Sequence, residues 1–207
     1  MTFSDSPLPS PTTKPLFRWK KGCMLLAITL MPLLAMAQPE RIYTSLSQVD
    51  DPSAVYILHL RGQRLREVPP QVFTFANLIE LDLSRNRLDT LPPAIARLPH
   101  LQRLNLHRNR LPSLPDSIGF LPQLKALNAS RNPLLELPST MARLSELDTL
   151  TLYLTGVVAL PPECAALNYS LRLLDLRACP LTYAHQAALD SLLPTPRKRW
   201  DYVCNCK

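Results

Sequence analysis

Glycine is scarce in this chain, with four in 207 residues, and histidine is equally rare. So few glycines disfavour a collagen-like fibre, and neither G-x-G-x-x-G nor G-x-x-x-x-G-K-[ST] occurs, which removes the Gly-rich loops that cradle nucleotide phosphates. No G-x-S-x-G, H-E-x-x-H, paired Cys/His or kinase-type string occurs either. What the chain has in excess is leucine, 43 residues, and proline, 22, with an aromatic fraction of only 6%. Proline in that number invites a disordered reading, but 46% hydrophobic and 19% charged residues supply more apolar surface than disordered chains carry. The leucines and prolines therefore need a positional explanation.

Residues 1–37 read as an address. Arg18, Lys20 and Lys21 precede the uncharged run from Cys23 to Ala37, which ends in Ala35-Met36-Ala37 before Gln38-Pro39-Glu40. A basic segment, an apolar segment and a small-residue cleavage site form the layout of a Sec-type signal peptide. The run is shorter than a membrane span and contains Pro32, so an uncleaved anchor is the weaker alternative. The expectation is export, to the periplasm or beyond, with cleavage after Ala37; a cytoplasmic protein is the alternative if the leader is not used. Cleavage lowers the net charge from +7 to about +4, with 19 basic and 15 acidic side chains left. Much of the basicity is thus targeting, and no nucleic-acid partner is expected from it.

A period of 23 organises the rest. Leu78-x-x-Leu81-x-Leu83-x-x-Asn86-x-Leu88-x-x-Leu91-Pro92 recurs from Leu101, from Leu124 and from Leu147, each 23 residues on. Poorer copies start at Val55 and, after a spacing of 24, at Leu171. This pattern resembles the leucine-rich-repeat family, in its 23-residue class with Leu-Pro after the consensus, over about residues 55–190. The resemblance implies an α/β solenoid: a horseshoe arc with a parallel concave β-sheet and short helical or 3-10 turns on the convex side.

Elementary physics agrees with it. The alternating leucines of L-x-x-L-x-L face inward from a short strand, and one coil cannot bury its apolar face alone, so coils must stack. The column Gln63, Asn86, Asn109, Asn132, Thr155, Cys179 is then a structural ladder, whose buried side chains bond backbone groups of adjacent coils. Pro69, Pro92, Pro115, Pro138 and Pro161 share the register at which the chain turns a corner. Residues 38–54 are assigned as an N-terminal cap containing an amphipathic helix over 42–52. A helix from Tyr183 to Leu193 precedes a C-terminal cap, residues 191–207, with a terminal strand over Trp200–Cys204 and a Cys-x-Cys tail.

Cys164, Cys179, Cys204 and Cys206 remain after cleavage, an even number in an exported chain. Pairing of Cys179 with the tail is the expected disulfide; inert core thiols at Cys164 and Cys179 are the alternative, and a zinc site is disfavoured by the C-x-C spacing. His59 and His107 sit two coils apart, about 10 Å, too far to share a metal. No cofactor and no enzymatic activity are expected.

Two surface columns are the binding candidates. Asp82, Asn105, Asn128, Thr151 and Asp175 share one concave register, either a polar-ligand face or a solvated strand face. Arg85, Arg108 and Arg131 share another, and Arg64, Arg87 and Arg110 recur two positions later, with His107 and Tyr153 on the same face. Stacked like charges call for salt bridges to Glu80, Asp82 or Asp89, or for an anionic partner, although repeat duplication gives the same pattern without function. The resemblance and the curved surface together imply a monomeric, non-catalytic recognition protein with a protein partner; an anionic polysaccharide or envelope component is the alternative ligand.

Overall fold

A computed structural model describes residues 41–199. Eight short strands run in sequence order in one parallel sheet: β1 (Ile42–Tyr43), β2 (Ile57–His59), β3 (Glu80–Asp82), β4 (Arg103–Asn105), β5 (Ala126–Asn128), β6 (Thr149–Thr151), β7 (Leu173–Asp175) and β8 (Arg197–Arg199). Registers from β2 to β6 step by 23 residues, so Leu58, Leu81, Leu104, Leu127 and Leu150 stack in one column, and Leu174 follows after a step of 24. All six of these leucines are buried, each burial being worth about 1.5–3 kcal/mol. A second inward column, Leu60, Leu83, Leu106, Ala129, Leu152 and Leu176, is buried beside it.

Each strand from β2 to β6 is returned by a 3-10 helix whose entry is a proline. Pro69, Pro92, Pro115, Pro138 and Pro161 stand immediately before these turns with φ between −52° and −71°, the value the pyrrolidine ring imposes. Their carbonyls accept the first turn's hydrogen bonds, from Val72, Ile95, Ile118, Met141 and Cys164, at 2.9 to 3.1 Å. Those five donors also fill the convex core. Gly119, in the turn Asp116–Phe120, is needed for closeness: a Cβ there would lie 2.2 Å from the Thr140 carbonyl oxygen of the next coil.

The ends differ from expectation. Instead of one amphipathic helix over 42–52, β1 pairs with β2, and two separate 3-10 turns follow, Leu46–Gln48 and Pro52–Ala54. The break has a local cause, since Asp51 caps Ser53 N–H at 2.8 Å and Pro52 cannot continue a preceding turn. At the other end α1 (Tyr183–Leu192) forms as expected, with a capping box in which Thr182 Oγ1 accepts from His185 N–H and Thr182 N–H donates to His185 Nδ1. The last described strand is Arg197–Arg199, upstream of the predicted one, and Lys198 takes the register of Leu174. Its side chain is nearly buried and its ammonium lies 2.8 Å from Asp190 of α1. Trp200–Cys204, where the terminal strand was expected, lies outside the described residues, as do residues 1–37, where a leader was expected.

Candidate functional site

The ladder is built of real hydrogen bonds. Asn86 Nδ2 donates to Leu60 O and Leu83 O at 2.8 and 2.9 Å while its Oδ1 accepts Leu65 N–H at 3.1 Å. Asn109 and Asn132 repeat that arrangement on the following coils. Thr155 keeps one part of it, donating to Leu152 O at 2.8 Å, and Cys179 Sγ reaches the same carbonyl at 3.2 Å. Gln63 departs: it is exposed, and its amide donates to Thr44 O at 2.7 Å, because the coil before it is the irregular cap. Cys164 and Cys179 are free thiols, so they do not pair with each other, while Cys204 and Cys206 lie outside the described residues. Burial, with Glu163 adding to it, pushes the Cys164 thiol up to about 11, which keeps it protonated.

The polar concave column is less exposed than the sequence reading assumed. Asp82, Asn105, Asn128 and Thr151 are half-buried, and Asp175 is only 4% accessible. Four of the five turn back on their own chain: Asp82, Asn105, Asn128 and Asp175 each accept the backbone N–H two residues on, at 2.7 to 3.2 Å. These side-chain turns terminate the strands at the point where the ladder bends away. Asp175 further accepts from Nε and Nη2 of Arg177, at 2.9 and 2.7 Å. Burial raises its pKa, but the hydrogen bonds and charge of Arg177, together with the charge of Arg199, outweigh that and leave it below the ordinary carboxylate range.

One concave cluster was missed from the sequence. Glu80 takes His59 on one oxygen at 2.8 Å and Arg103 on the other at 2.6 Å, tying β2, β3 and β4 together. The signal was available, because Glu80 and Arg103 are 23 residues apart and therefore face each other on neighbouring strands. Glu80 and Arg103 also line an open hollow of about 240 Å³, together with Asn105, Ala126, Asn128 and Thr149. A wider groove of about 730 Å³ at the opposite strand ends includes Lys125, Asp148, Tyr169 and Arg172. Arg172 Nε stands 3.5 Å from Asp148 Oδ1 there, an ion pair without hydrogen-bond geometry.

The arginines sit on the ridge where each strand leaves the sheet. Arg85, Arg108 and Arg131 are exposed, and their backbones are left-handed, with φ of 57°, 58° and 54°. Leu154 and Ala178 share the register and the conformation, and the first copy places Gly62 there, with φ of 72°. A side chain in that region costs about 1–2 kcal/mol that glycine avoids. The coil enforces it because the same residues continue the ladder: Arg85, Arg108 and Arg131 donate their N–H groups to His107, Ser130 and Tyr153 carbonyls at 2.8 to 2.9 Å.

Arg64, Arg87 and Arg110 are exposed along the outer side of this ridge, Arg64 also being left-handed. The expected salt bridges to Glu80, Asp82 or Asp89 do not form: among the described residues none of these six arginines has an ion pair, and Glu80 and Asp82 are bonded elsewhere. Only Arg131 is engaged, its guanidinium 5.5 Å from the Tyr153 ring, which Arg177 approaches at 5.7 Å. His107 is half-buried among them. Burial, then the charges of Arg131, Arg85, Arg108 and Arg61, push its imidazole below the ordinary histidine range. Among the described residues no three His, Cys, Asp or Glu side chains gather where they could hold a metal ion, and no helix is long and apolar enough to cross a membrane.

Comparison with known proteins agrees with this architecture. A leucine rich repeat family model matches residues 53–111 and 94–134. No curated protein matches significantly. Among solved structures, the LRR protein LIC12759 of Leptospira interrogans superposes with a TM-score of 0.61 at 26% identity, over 80% of this chain and 49% of that one. The plant peptide hormone receptor RGFR1, solved in complex with RGF2, superposes with a TM-score of 0.56 at 22% identity, over 77% of this chain and 30% of that one, a likeness of fold alone. This chain therefore spans about half the length of the Leptospira protein. With the family model lying on its regular coils and a Leptospira LRR protein superposing on four-fifths of it, the chain is a leucine-rich-repeat protein.

Proposed function

We propose that this protein is an exported, non-catalytic recognition module that holds a protein partner against its concave face and arginine ridge. The observation that carries the reading is the ridge itself: cations at one register on successive coils, exposed and without ion-pair partners among the described residues. A row of like charges is unfavourable until a partner neutralises it, and Arg with Tyr supplies the anchor types that protein interfaces favour. The same arc in a plant peptide hormone receptor supports its use for holding a polypeptide. The leader over residues 1–37 carries the assignment to the periplasm or outside; a cytoplasmic scaffold is the alternative if that leader is unused. The unpaired arginines also favour a second reading, an anionic polysaccharide or envelope component.

The test is affinity capture from envelope fractions with wild-type protein, with A126R/T149R, which fills the concave hollow, and with R85A/R108A/R131A. Partners retained by wild type are expected to be lost from both variants, each of which unfolds at the wild-type temperature. An identical partner list from all three overturns the reading.

A further inference from the structure

We infer that the ridge of Arg85, Arg108 and Arg131 grips an acidic, extended segment of the partner that runs across the coils and sets an aliphatic side chain on Leu154 and Leu135. The inference rests on the protein-recognition reading above and names the chemistry of its ligand.

The spacing comes from the coil. Because the backbone N–H of each ridge arginine is bonded to the next coil, the three Cα atoms are held one strand apart, about 4.8 Å, and their side chains leave from equivalent left-handed corners. The register continues into Leu154, so three intervals separate Arg85 from it, about 14 Å. A fully extended chain rises about 3.3 Å per residue, and five residues cover that span. Guanidinium groups bind carboxylates through paired N–H donors, so the acidic side chains of such a segment fit this ridge in kind as well as in charge.

The residue that follows the arginines in this column selects the class of partner. Leu154 is 46% and Leu135 72% exposed. Leu135 leans over Gly156, where a Cβ would come within 2.8 Å of its Cδ2, and Gly156 stands two residues after Leu154, so the two exposed leucines flank the junction of the same two coils. A regular polyanion carries the same charge on every unit and finds cations along only half of the register. A peptide with carboxylates followed by an aliphatic residue matches both halves. Burial is the main cause of the depressed His107 imidazole, but the charges of Arg131, Arg85, Arg108 and Arg61 add to it, in keeping with a positive field along the ridge.

The experiment measures binding of a labelled peptide of four glutamates followed by a leucine to the purified protein. Controls are the peptide with glutamines for glutamates, the peptide with serine for leucine, and a galacturonate oligomer with four carboxylates. The acidic leucine peptide is expected to bind at least tenfold more tightly than the glutamine peptide and than the sugar, and more weakly as salt is added. R85N/R108N/R131N keeps residues that tolerate a left-handed backbone, so it is expected to lose at least tenfold in affinity while unfolding no earlier than wild type. Leu135→Ser with Leu154→Asn is expected to erase the preference for leucine over serine. Equal binding of the glutamine peptide, or undiminished binding by the triple variant, overturns the inference, and tighter binding of the sugar overturns it in favour of a glycan. If no peptide binds but A126R/T149R still loses the captured partner, the ridge inference falls and the recognition reading stands; if the peptide binds while that variant keeps every partner, the concave reading falls instead.

Discussion

Asn109 bonds three separate stretches of backbone: it donates to Leu83 O of the preceding coil and Leu106 O of its own, and accepts the Leu88 N–H. It is 8% accessible, so water cannot substitute fully for what is lost. Asn109→Ala leaves a buried donor and two carbonyls under-satisfied, and we expect a loss of about 2–4 kcal/mol, read as a lower urea midpoint at unchanged slope. Asn109→Thr, which reproduces what Thr155 does naturally, is expected to cost about half as much; equal losses for the two would contradict the account of the ladder. This column was legible in the sequence because the motif repeats it, and because a buried amide has few other uses. Gln63 was not, since its exposure depends on the irregular cap beside it. Asp82, Asn105, Asn128 and Asp175 were placed on the right face but given too much freedom. A short polar side chain at a strand end caps its own backbone, a competition that periodicity does not register.

Strands and turns are too short here to be stable singly, and what joins them laterally decides their stability. The Glu80 clasp is one such joint. Burial draws the Glu80 pKa upward, but hydrogen bonds and charge from Arg103 and His59 outweigh it and hold the carboxyl below the ordinary glutamate range. A carboxylate depressed in this way contributes its full stability above the unfolded value of 4.5 and loses it as pH falls through the lower folded value. Thermal unfolding of wild type against Glu80→Gln is therefore expected to differ most at neutral pH and to converge as the pH falls through the lowered folded value; a constant gap from neutral to strongly acidic pH would contradict the assignment. The strands and proline corners were read correctly from the repeat. The N-terminal helix was not, because the apolar spacing of Leu46 and Val49 suits a helix, whereas Asp51-Pro52 divides it into two turns. At the other end the terminal strand was expected over Trp200–Cys204, and the basic run Arg197–Arg199 was given no element of its own. It pairs instead as the last described strand, with Lys198 drawn into the leucine column by Asp190 of α1.

Over the whole molecule, a register of 23, with one step of 24, carries the leucines of successive coils into one core and their exposed residues into columns, so substitutions that are scattered in sequence become neighbours in space. The arc was legible for that reason, while the Glu80–Arg103 pair, visible only when one register is followed between coils, was passed over. The scarcity of glycine also acquires a meaning at this scale. The left-handed corner recurs on six coils, yet glycine fills it once, at Gly62, and arginine fills it three times running. Residues that strain the corner and find no ion-pair partner among the described residues are the ones to which the recognition surface is assigned. The most direct measurement places a photoreactive benzoylphenylalanine at one of three positions in the protein and crosslinks it to whatever it binds. Positions 108, on the ridge, and 126, on the concave sheet, are expected to yield the same crosslinked partner, and position 139, in a convex turn, none. Crosslinking from position 139 with silence at the other two would contradict the account.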